Sequence, residues 1–100
     1  MNAYETLLSE LKKRIIRILK KSLENYFRVS KANDTDKAKF LEESSVADLI
    51  DANSNEIQEA IYSVLKHSRT VVIFNKDQAK AFSADIDTFL GKLTFEDILK

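Results

Sequence analysis

Cysteine and proline are absent from this sequence, histidine occurs once, at His67, and glycine once, at Gly91. Without cysteine there are no disulfides, thiolate zinc sites or cysteine nucleophiles, a pattern that fits a reducing compartment. A single histidine gives a catalytic triad or an imidazole metal site nothing to pair with, so His67 reads as a helix-end residue favoured there by the helix dipole. One glycine cannot build a glycine-rich phosphate loop, and no Gly-x-Ser-x-Gly elbow accompanies the serines. No apolar run approaches the roughly 20 residues needed to cross a bilayer. The opening segment lacks the basic-then-apolar order of a secretion signal. These absences predict a cytoplasmic protein with no membrane association, no cofactor, no metal and no enzymatic activity.

The lack of proline and near lack of glycine also favours long helices joined by Asn, Asp and Ser loops. One hundred residues, 44% hydrophobic and 32% charged, suit a single globular domain over residues 1–100. The net charge is zero, yet its distribution is uneven. Residues 1–31 carry eight basic and three acidic side chains, a net of +5, whereas residues 32–68 carry three and eight, a net of −5. Either the basic segment faces an external anion, or the acidic segment packs beside it and neutralises it.

From about Ala3 to Val29, Tyr4, Leu7, Leu8, Leu11, Ile15, Ile18, Leu19, Leu23 and Tyr26 recur at three- and four-residue spacing, which predicts one long amphipathic helix. Lys13, Arg14, Arg17, Lys20, Lys21, Arg28 and Lys31 collect on its opposite face. A polar loop is expected over Lys31–Thr35, then a short helix over Asp36–Glu43 carrying Phe40 and Leu41. Ser44 or Ser45 caps a helix over Val46–Ala52, and Asn53 with Glu56 reads as a capping box for a helix from Asn55 to about Lys66. Thr70–Phe74 is a run of strand formers. Ala79–Ser83 reads two ways: as the returning strand of a hairpin, or as the start of a helix in which Ala79, Phe82, Ile86, Phe89, Leu90 and Leu93 share a face and Asp77 caps. Thr94 caps a last helix over Phe95–Lys100.

The stretch from Ser45 to about Phe82, SVADLIDANSNEIQEAIYSVLKHSRTVVIFNKDQAKAF, resembles the helix–turn–helix, strand and wing of winged-helix domains. On that resemblance Val46–Ala52 is the positioning helix, Asn55–Lys66 the second helix, and Thr70–Asn75 with Ala79–Ser83 the wing. The fold class expected is therefore mainly α, a long N-terminal helix plus short helices and a small β-hairpin, with an all-α bundle of four or five helices as the alternative. The second helix exposes Glu56 and Glu59, which a phosphate backbone repels, so it suits protein contact better than base reading.

Two functions follow as expectations. The resemblance implies a non-enzymatic regulator or accessory factor that associates with nucleic acid, with Lys13, Arg14, Arg17, Lys20, Lys21 and Arg28 supplying backbone contacts. The charge balance supports a protein-interaction module instead, its partner an acidic protein surface. A homodimer would account for the length of the first helix. Asp85, Asp87 and Glu96 fit positions 1, 3 and 12 of a calcium loop, but Phe89 takes a ligand position and Leu90 the place of the turn glycine.

Overall fold

The computed structural model describes residues 3–67 and 76–100 of the chain, and every regular element among them is a helix. Helix α1 spans Ala3–Val29, α2 Asp34–Glu43, α3 Val46–Ala52, α4 Ser54–His67, α5 Lys76–Lys92 and α6 Phe95–Leu99. At 1.5 Å per residue the 27 residues of α1 run about 40 Å, which accounts for most of the 48 Å long axis.

α1 is the hub. It packs against α3, α4, α5 and α6, and its Leu7, Leu11, Ile15 and Leu19 meet Ile57, Ala60 and Val64 of α4. Phe82 and Ile86 of α5, then Leu93 and Ile98, close the same core. Leu11, Ile15, Leu19 and Leu23 are all 0% exposed. Burying a Leu or Ile side chain contributes roughly 1.5–3 kcal/mol, so this one row carries much of the stability.

The helix boundaries follow local chemistry. α1 ends in a left-handed turn: Lys31 has φ 54°, its N–H donates to the Arg28 carbonyl, and the Ala32 N–H reaches back to Phe27. That pair of bonds is a Schellman closure. Asn33 then caps α2, its Oδ1 accepting from the Asp36 N–H at 2.8 Å while Asp36 accepts from the Asn33 N–H. The loop is thus shorter than the polar run suggests, with Thr35 already helical. Ser45 caps α3 through the Asp48 N–H, and Thr94 with Asp97 forms a capping box on α6. At the α3–α4 corner Asn53 does something other than box with Glu56. It is buried, and its Nδ2 donates to Ser22 Oγ at 3.1 Å and to the Leu49 carbonyl at 2.8 Å. The Ser22 bond ties the corner to α1, and the Leu49 bond closes the end of α3.

The winged-helix expectation fails at the wing. Ala79–Ser83 lies inside α5, and that helix puts Phe82 and Ile86 into the core one turn apart. A strand would turn alternate side chains to opposite faces and could not bury this i, i+4 pair together. Ala79, Lys80 and Ala81 are also good helix formers and poor strand residues. The other expected wing strand, Thr70–Asn75, lies outside the described residues. Among the described residues the architecture is the all-helical alternative, with α5 in place of the returning strand. The helix begins at Lys76, so Asp77 lies in its first turn rather than capping it, and Leu93 lies just beyond its end.

Candidate functional site

The surface singled out by the sequence is the cationic face of α1. Its position follows from the core: once the apolar residues of α1 turn inward, the polar ones at intervening positions must face water. Lys13, Arg17, Lys21 and Arg28 are exposed, whereas Arg14 and Lys20 are half-buried. Three of the six are held by the chain itself. Arg14 Nη1 donates to Ser63 Oγ at 3.3 Å, Lys20 Nζ to the Lys100 carbonyl at 3.2 Å, and Arg28 Nη2 to Asn25 Oδ1. Lys31, extrapolated onto the same face, sits instead in the left-handed turn beyond the helix.

Beside this face runs α4, and the two helices are antiparallel, with Arg14 opposite Ser63 and Ser22 opposite Asn53. Between them lie two adjoining hollows. Arg17, Lys21 and Glu56 line one. Arg14, Arg17, Glu56 and Glu59 line the other, with Ser63. The cations stand at i, i+3 and i+7 on α1 and the carboxylates at i and i+3 on α4. Opposite charges therefore run along the two walls of one seam. Of the two expectations for the charge asymmetry, the acidic segment supplies one wall of this seam through α4.

Two further carboxylates interrupt the cationic row on α1 itself. Glu10 and Glu24 are exposed, one turn before Lys13 and one turn after Lys21. At such spacings opposite charges attract along a helix by a few tenths of a kcal/mol. The surface is thus a band of mixed sign with a positive centre at Arg17. The sequence held the signal for Glu56 and Glu59 in their i, i+3 spacing beside the apolar stripe of α4. What it lacked was the side on which α4 packs.

Chemistry beyond charge is sparse. Among the described residues no group of three His, Cys, Asp or Glu side chains is placed to hold a metal ion. Asp85, first in the calcium-loop register, accepts a hydrogen bond from the Tyr4 hydroxyl. That bond, with some burial and the adjacent negative charge, pushes the Tyr4 phenol up from 10.0 to about 12. Asp97 is held below the usual carboxylate range by the side chain and N–H of Thr94. The first interaction joins α1 to α5, and the second caps α6 beside a hollow that Asp97 lines with Ile16, Phe89 and Lys100. No described helix is long and apolar enough to cross a membrane. No protein-family model matches this chain, and no curated protein or solved structure shows significant similarity to it.

Proposed function

We propose that this chain is a non-enzymatic protein-interaction module, and that the α1–α4 seam is its contact surface for a predominantly acidic protein partner. The observation that carries this reading is the placement of Glu56 and Glu59 along the cationic row. A nucleic-acid backbone is a continuous line of negative charge, and a binder neutralises it with uninterrupted Lys and Arg. Here an approaching phosphate line meets carboxylates from α4 on one side and Glu10 and Glu24 at either end of the row. A protein surface can match such alternation residue by residue, with carboxylates opposite Lys13, Arg17 and Lys21 and a cation opposite Glu56.

The competing reading is association with nucleic acid through Lys13, Arg14, Arg17, Lys20, Lys21 and Arg28. It draws support from the exposure of Lys13, Arg17 and Lys21, spaced four residues apart on one face. Two measurements separate the readings. In a mobility-shift series from low to moderate salt, the protein-interaction reading expects no retained duplex or single strand at any salt. Binding that weakens steeply with salt, and vanishes in the Arg17→Glu, Lys21→Glu double variant, would replace it with the nucleic-acid reading. In affinity capture from nuclease-treated extract, the expected result is a partner band present with the native chain and lost with the same double variant.

A further inference from the structure

The apolar stripe of α1 does not stop where the rest of the protein stops. At about 100° per residue, Tyr26 and Val29 fall within the arc occupied by Leu11, Ile15 and Leu19, all of which are fully buried. Yet Tyr26 is 52% exposed and Val29 70%. The reason lies in the α3–α4 corner. Asn53, bonded to Ser22, brings α4 to its start beside that residue, so α4 cannot cover the last turns of α1. Among the described residues α2 and α3 flank the end of α1: Tyr26 lines a hollow with Phe40 of α2 and Leu49 and Ala52 of α3, and α2 buries none of its residues completely. Its Phe40 packs on Tyr26 at 4.8 Å and edge-on against Phe27 at 5.5 Å, leaving the Val29 side open.

The overhang makes the molecule long. Its radius of gyration is 15.4 Å, against about 13 Å for a compact chain of this length. An apolar stripe continuous with the core, extended beyond the core's own cover, is a surface shaped to be completed from outside.

We infer that a second copy of this chain completes it, in a two-fold dimer with Tyr26 and Val29 at its centre. The charges around the stripe argue for this partner. A two-fold interface pairs a patch with itself, so a charged patch must carry both signs. This one does. Arg28 and Lys31 stand exposed at the end of α1, and on α2 the exposed carboxylates Asp34, Asp36, Glu42 and Glu43 outnumber the one exposed cation, Lys39. Turned about a two-fold axis, the cations of one copy meet the carboxylates of the other while the two apolar stripes close on each other. The zero net charge of the chain removes the overall repulsion that otherwise keeps like molecules apart. This surface is separate from the α1–α4 seam, so the inference stands or falls independently of the proposed function.

Sedimentation or light scattering over a concentration series of the full chain reads the mass directly. The expected mass rises to twice 11.5 kDa with concentration, and the dimer loosens as salt is added. Val29→Glu places two carboxylates at the centre and weakens association at least ~10-fold, about 1.4 kcal/mol. Its site is exposed, and far-UV circular dichroism checks that helix content is kept. Because the chain has no cysteine, Val29→Cys supplies a second readout: oxidation converts it to a covalent dimer, whereas Tyr62→Cys, exposed on α4, stays a monomer. A single-copy mass at every concentration overturns the inference. So does a dimer that survives Val29→Glu, or one whose Val29→Cys form cross-links no faster than Tyr62→Cys.

Discussion

Tyr4 shows how one side chain joins distant parts of this chain. Its ring meets Phe82 edge-on at 5.8 Å and its hydroxyl donates to Asp85, so two consecutive turns of α5 are fastened to the first turn of α1. The bond exists only while the phenol keeps its proton. The folded phenol ionises near 12 and the unperturbed one near 10.0, so the bond stabilises the fold fully below pH 10. That contribution is lost as pH rises toward 12. Ultraviolet titration of Asp85→Ala should show the Tyr4 phenolate appearing at lower pH, back toward the ordinary tyrosine range. An unchanged titration would mean that Asp85 does not set it. Asn53 works similarly at the other end of the core, spending its amide on Ser22 and Leu49.

At the scale of elements, what distinguishes these helices is how they begin and end. Asn33, Ser45 and Thr94 each accept an N–H three residues on, satisfying donors that a helix start otherwise leaves open. The end of α1 is less favourable. Lys31 adopts φ 54°, a conformation in which a Cβ crowds the backbone and which glycine adopts freely. Lys31→Gly should therefore stabilise the protein by about 0.5–1 kcal/mol, read as a higher urea midpoint with unchanged slope. A loss of stability would show that the lysine side chain contributes more at this turn than its backbone strain costs. If the chain dimerises there, the comparison belongs at concentrations where it is monomeric.

For the whole molecule, the core is a single row shared by four helices. Leu19 is completely buried within it. Leu19→Ala should cost about 2–5 kcal/mol, the transfer free energy plus the cavity left behind. That is a large share of the 5–15 kcal/mol typical of a small domain, and thermal denaturation would register it as a marked fall in Tm. A loss below 1 kcal/mol would mean that the surrounding helices collapse to fill the space. The core lies along the middle of α1, the charged seam beside it, and the exposed Tyr26 and Val29 at its far end.

The serine cap located the short α3, and residue spacing determined α1 with its observed limits, because a long 3–4 periodicity without proline or glycine admits only a helix. It likewise determined that Lys13, Arg17, Lys21 and Arg28 face outward, since the opposite face must enter the core. Between hairpin and helix over Ala79–Ser83 it left a choice, because five residues of mixed character satisfy both periods. Packing settled that choice by placing Phe82 and Ile86 together against α1. Only the tertiary arrangement put Glu56 and Glu59 along the cationic row and stopped α4 short of Tyr26 and Val29. Both depend on the direction of the chain after α3, and the Asn53–Ser22 bond that ties that corner to α1 joins residues 31 apart in sequence.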